Sequence, residues 1–194
     1  KRYINLLISE KDKGIYYAMN KGARIASGKI IIFVNSGDRL TKNALKIVKK
    51  KITKNIDFVF GTVKRHYVKG TILKHGFSKK KLYINFDFAT AHSTGFYIKK
   101  TTFKNMKYFN TKYKCSADYD LYYRLLITLK KHGSFTNKNQ LIGVVQSGGF
   151  SSKLSFIQHL IEEVKIRIDN RQNKFIILMI IFNALIKHLL KKTF

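Results

Sequence analysis

Carboxylates are scarce in this chain: 10 Asp and Glu stand against 39 Lys and Arg among 194 residues. Those that fall inside ordered motifs therefore draw the eye first. Asp38 closes the polar turn Asn35-Ser36-Gly37-Asp38 directly after the β-branched run 29–34. Such a run is too short for a helix and suits a strand covered on both faces. The crevice beyond the carboxyl end of a buried strand is where open α/β sheets bind ligands. Asp12, Lys13 and Gly14 precede a helical pattern, and helix-start amides beside a lysine can meet phosphate or sugar oxygens. Asp118 and Asp120 stand two apart, with Arg124 behind them; on a helix Asp120 reaches Arg124 at i+4 and reads as a structural pair. Each group also has a plain structural use, as a turn residue, a helix cap or a solvated ion pair.

The elements that position these residues follow from periodicity. Residues 3–9 form an apolar run suited to a buried strand, and 15–27 carry Ile15, Met19, Gly22, Ile25 and Ala26 at helical spacing until Gly28 stops the helix. A strand, helix, strand order ending in 29–34 predicts a parallel crossover. Thr41 is placed to cap a helix with Leu45, Val48 and Ile52 on its apolar face. Strands are predicted over 56–60 and 62–68, with a hairpin turn at Lys69-Gly70 into 71–74 as an antiparallel edge. A strand at 91–98, a helix at 117–129 and a strand at 141–145 complete the α/β pattern. From 153 the pattern turns helical, with Ile157, Leu160, Ile161, Val164 and Ile168 on one face, and a second, more apolar helix spans 175–190.

Ser9-Glu10-Lys11-Asp12-Lys13-Gly14-Ile15-Tyr16-Tyr17-Ala18-Met19-Asn20-Lys21-Gly22, followed by the strand and Asn35-Ser36-Gly37-Asp38, resembles the family 2 glycosyltransferases of bacterial surface polysaccharide assembly. The resemblance runs from about residue 4 to 152. It implies a GT-A fold: a mixed, mainly parallel sheet flanked by helices, here a partial domain over 1–152 with a helical tail over 153–194. It further implies that two strand and helix units normally precede the first residue of this chain. By the same resemblance Asp12, Lys13, Gly14, Asn20, Lys21 and Asn35 lie on the donor side, and Asp38 is the ligand of Mg²⁺ or Mn²⁺. Asn35 and Gly37 stand where other members often carry further aspartates, so Asp38 is the single sure carboxylate of that motif. Ser116-Ala117-Asp118-Tyr119-Asp120-Leu121 resembles the segment whose first aspartate is the general base of inverting members, which assigns that role to Asp118 and agrees with the need to take a proton from an acceptor hydroxyl. His92 matches a histidine on the acceptor side, with a strand-edge role as the alternative, and Gly148-Gly149-Phe150-Ser151 resembles a late donor-side loop.

The implied substrates are a nucleotide diphosphate sugar and a saccharide or lipid-linked acceptor. The formal charge of +29 attracts phosphates of every kind, although the lysine excess travels with Ile, Asn, Tyr and Phe as in an AT-rich coding sequence. A nucleic-acid-binding module lacks any zinc-finger, RNP or helix-turn-helix pattern to support it, so no specific nucleic acid is expected. A non-catalytic remnant of the same fold is the other alternative. The lone Cys115 admits no intrachain disulfide and fits a reducing cytoplasm. The apolar run 175–182 falls short of a membrane span; with Arg171, Lys174, Lys187, Lys191 and Lys192 around it, the last helix suits either an anionic membrane surface, on the inner face of the plasma membrane, or packing against protein.

Overall fold

The computed structural model describes residues 4–67, 70–85, 93–146, 148 and 154–190. Among the described residues eight strands form two four-stranded sheets. The first runs β1 (Ile30–Ile32), β6 (Phe96–Lys99), β3 (Phe58–Phe60), β7 (Gly133–Phe135), and the second β2 (Arg39–Leu40), β8 (Leu141–Val145), β4 (Thr62–Tyr67), β5 (Gly70–Lys74). The helices are α1 (Ile15–Ile25), α2 (Ala44–Lys51), α3 (Lys79–Ile84), α4 (Lys100–Asn105), α5 (Ala117–Tyr123), α6 (Phe156–Asp169) and α7 (Lys174–Leu190).

Strand alternation divides the core. Phe58 and Phe60 of β3, with Phe96 and Ile98 of β6, enter one cluster together with Tyr16, Phe103 and Tyr122; Val59 and Tyr97, one residue out of step, enter the other with Ala44, Val48 and Ile142. This is the period of two expected of a sheet covered on both faces. Aromatic rings fill the first cluster, with Phe60 against Phe96 at 5.0 Å and Phe96 against Tyr122 at 4.8 Å between centroids, contacts each contributing about 0.5–1.5 kcal/mol beyond burial. Where the sheets meet, a Cβ on Gly61 would lie 1.5 Å from the Ile142 side chain, so only glycine permits the approach.

Several expectations need correction. The strand predicted at 3–9 does not form over its described part: Ile4, Leu6, Leu7 and Ile8 are exposed and pair with no described strand. A strand exists only beside a partner, and without one the predicted crossover is lost. The sheets are mixed as expected, and β1, β3 and β7 run in one direction. Yet four of the six pairings are antiparallel: β6 runs against both β1 and β3, β2 against β8, and β4 against β5. Thr41 does not cap α2; its hydroxyl donates to the Leu141 carbonyl at 2.8 Å, Asn43 takes the cap position, and Leu45 is exposed while Ala44 and Val48 are buried. The strand predicted at 91–98 enters as a 3₁₀ turn over Ser93–Gly95, and the helix of 117–129 turns π-helical over Arg124–Thr128. On α6 the predicted stripe is met only in part: Leu160 is buried and Val164 half-buried, but Ile157, Ile161 and Ile168 are exposed, and Ile166 and Arg167, off the stripe, are buried.

Candidate functional site

Asp118 lies in the first turn of α5, and the turn before it is held from a distance. Ser116 offers no side-chain cap; instead Glu162 of α6 accepts the N–H groups of Lys114 at 2.7 Å and of Cys115 and Ser116 at 2.9 Å, and the Cys115 thiol at 3.0 Å. A carboxylate at a helix start satisfies donors that no intrahelical carbonyl can reach and complements the helix dipole. Burial works to raise the Glu162 pKa, but the thiol and the backbone donors outweigh it and hold the carboxyl below its ordinary value. The Cys115 thiol is pushed up to about 12, by burial first and then by its hydrogen bond to Glu162.

Asp118 itself meets α1. The Tyr16 hydroxyl lies 3.1 Å from Asp118 Oδ1 and 3.0 Å from the Cys115 carbonyl oxygen, and the Tyr119 N–H donates to the same Oδ1 at 2.8 Å. Burial raises the Asp118 pKa, and the Tyr119 and Tyr16 donors only partly offset it. The result is a carboxylate with heightened proton affinity. Tyr16 and Tyr122 are both raised, by burial and then by the Asp118 charge. From α6, Glu163 is pushed up to about 8, chiefly by burial, with Arg167 opposing and Asp118 adding to the rise.

Asp38 is held separately, just past the end of β1. β1 ends at Ile32 opposite Tyr97 of the antiparallel β6, so the turn leaving β1 lies beside the turn entering β6. Accordingly Asn35 Nδ2 donates to Ser93 Oγ at 2.9 Å, and the Thr94 hydroxyl donates to Asp38 Oδ2 at 2.5 Å. The Gln146 N–H, just past β8, donates to Asp38 Oδ1 at 3.1 Å. Gly37 takes φ +85°, a conformation glycine adopts without strain, to turn Asp38 into this position. Tyr122, one helical turn beyond Asp118, packs its ring on Phe96 of β6, which ties α5 to the core face of the same sheet.

The remaining sequence candidates divide. Lys21 pairs with Asp12 at 2.6 Å and with Glu10, hydrogen bonds that raise its pKa. Asp12 and Lys21 line a cleft of about 530 Å³ that runs along α1 beside Leu6 and Ile8. Asn20 is buried and both donates to the Phe109 carbonyl at 2.9 Å and accepts the Phe109 N–H at 3.0 Å, so its amide is engaged in tying α1 to the chain after α4. Lys13 is exposed, and Gly14, at φ +148°, starts α1 with its carbonyl accepting from Tyr17 and Ala18. Asp120 pairs with Arg124 at 2.8 Å as their spacing predicts. His92, Gly149, Phe150 and Ser151 lie outside the described residues.

Two contributors escaped the motifs. Tyr16 sits inside the quoted segment but no spacing rule gives it a partner 102 residues away. Glu162 is one acid in a helix with no local signal of the turn it caps. Among the described residues no three His, Cys, Asp or Glu side chains gather as a metal site. Asp38 contributes one carboxylate, an oxygen donor of the kind hard cations take, and its two oxygens accept from Thr94 and Gln146.

A family model described as Glycosyl transferase family 2 matches residues 2–116. No curated protein matches the sequence. Among solved structures, the crystal structure of S. aureus TarS 1-349 is similar at a TM-score of 0.55 and 16% identity, covering 80% of this chain and 44% of that one. TarS 1-349 in complex with UDP-GlcNAc is similar at a TM-score of 0.56 and 16% identity, covering 82% and 48%. The chain thus spans less than half the length of these solved structures, and the likeness is one of fold.

Proposed function

The chain belongs to glycosyl transferase family 2, and from that premise we propose that it moves a sugar from a nucleoside diphosphate sugar onto a hydroxyl of a saccharide or lipid-linked acceptor. The transfer inverts the anomeric carbon, and the setting is surface polysaccharide or lipopolysaccharide assembly. The observation that carries this reading is Asp118: a carboxylate in the first turn of α5 whose proton affinity is raised by burial and which Tyr16 orients. The UDP-GlcNAc bound by the TarS neighbour supports a nucleotide sugar as the ligand class.

In this reading the acceptor hydroxyl gives its proton to Asp118 as its oxygen bonds to the anomeric carbon. The bond from that carbon to the diphosphate oxygen breaks, and its electron pair leaves with the diphosphate. A positioned base with raised proton affinity holds that proton better at neutral pH than an ordinary carboxylate near pKa 3.9 does. Mg²⁺ or Mn²⁺ held by Asp38 would neutralise charge on the departing diphosphate. Asn35, Lys13 and the first amides of α1 supply polar contacts to donor oxygens.

A second reading, a non-catalytic remnant of this fold that serves as an interaction module and has lost donor binding, draws on Lys21 and Asn20, whose polar groups are engaged within the protein. The test separates the two. Calorimetry with uridine, guanosine and thymidine diphosphate sugars in Mn²⁺ measures binding, and chromatography of acceptor products measures transfer. Asp118→Asn is expected to lower transfer by about 10²–10⁴ while donor binding stays unchanged. Undiminished transfer in that variant removes Asp118 as the base, and neither donor binding nor transfer by the parent chain favours the second reading.

A further inference from the structure

α7 turns an uninterrupted apolar face to solvent. Ile177 and Ile180 are its buried residues and mark the side packed on the body of the protein; on that side the His188 ring stacks on Phe156 of α6 at 4.0 Å. At about 100° per residue, Phe175, Leu178, Met179, Phe182, Ile186 and Leu190 project from the opposite side. All are exposed, from 38% at Ile186 to 70% at Phe175. Surface apolar residues usually occur singly, and a contiguous face of this kind marks a contact surface.

Charge identifies what it contacts. The chain carries no Asp or Glu after Asp169, whereas Arg171, Lys174, Lys187, Lys191 and Lys192 all fall in that stretch. Asp169 is itself paired with Lys112. Two copies of a chain with a net charge of +29 repel one another, while an anionic lipid surface attracts each Lys or Arg near it by about 1 kcal/mol. No described helix is long and apolar enough to cross a membrane, but 17 residues of helix lying flat extend roughly 25 Å. We propose that α7 lies in the surface of an anionic bilayer, its apolar face inserted and its lysines among the headgroups. α6 holds it in place, and the surface is independent of the transferase reading.

The test uses the whole chain in sedimentation with vesicles of phosphatidylglycerol and phosphatidylcholine, against phosphatidylcholine alone. Binding is expected to the anionic vesicles, to weaken with added salt, and to fall by roughly tenfold or more in the Leu178→Glu/Phe182→Glu variant. Because the chain contains no tryptophan, Phe182→Trp gives a single reporter whose emission shifts to the blue on anionic vesicles. Equal binding to neutral vesicles, wild-type binding by the double glutamate variant, or an unshifted tryptophan overturns the proposal. So does a lipid-free dimer, seen by sedimentation equilibrium, that the double glutamate variant dissociates; that result makes a second copy the occupant of the face.

Discussion

α6 and α7 follow one another in the chain, are both amphipathic, and are used in opposite ways. α7 is the more apolar, yet it buries only Ile177 and Ile180. α6 sends charged groups inward. Its Arg167 is fully buried and donates to the carbonyls of Leu82, Tyr83 and Asn85, to Gln172 and to the Tyr119 hydroxyl. Three of those acceptors belong to the end of α3, where carbonyls have no intrahelical partner. Its Glu162 caps the turn before Asp118, and its Ile166 enters the main core cluster. Apolar content thus says little about which helix belongs to the core, whereas a buried charge held by five acceptors says much.

The contrast is sharpest at Arg167. Arg167→Met strands those carbonyls and is expected to lower stability by about 3–5 kcal/mol, whereas Phe182→Ser on α7 stays within about 0.5 kcal/mol. Urea unfolding measures both, and equal costs would erase the distinction between the helices. Next in size, Glu162→Gln keeps an acceptor but loses the charge, costing about 1–2 kcal/mol and lowering transfer roughly tenfold as the turn before the base loosens. A full loss of stability with unchanged transfer would make Glu162 a strut unrelated to the base.

Beside these substitutions stands a pH dependence seated in α6. Glu163 titrates near 8 in the folded chain and near 4.3 when unfolded, so the folded state holds an extra proton between those values. Stability therefore falls as pH rises across that window. Urea midpoints at pH 5, 6.5 and 8 are expected to decline in the parent chain. In Glu163→Gln they decline less, leaving the slope of the same sign that Asp118 contributes through its own raised pKa.

Much of this architecture is legible in the residues, and the failures share a cause. α1, the β4–β5 hairpin, β8 and α7 follow from periodicity and from glycines that end or turn a segment. Residues 4–8 have the composition of a strand but lack a described partner, and a strand is a property of a pair. β7, three residues long, carries too little pattern to be read, and β6 reverses the sheet because pairing is decided by long-range packing. At the site, Asp38 and Asp118 are named by motif, while the hydroxyl and the carboxylate that hold Asp118 arrive from α1 and α6. Local spacing does not record contacts across 102 or 46 residues.

Tyr16 has one hydroxyl hydrogen and two acceptors within reach, Asp118 and the Cys115 carbonyl. While Asp118 is ionised, the charge draws that hydrogen toward it. Once Asp118 is neutral the pull disappears, and the carbonyl becomes the better acceptor. Each proton taken up by the carboxylate thus swings one O–H bond on α1, a built-in reporter of whether the base is loaded.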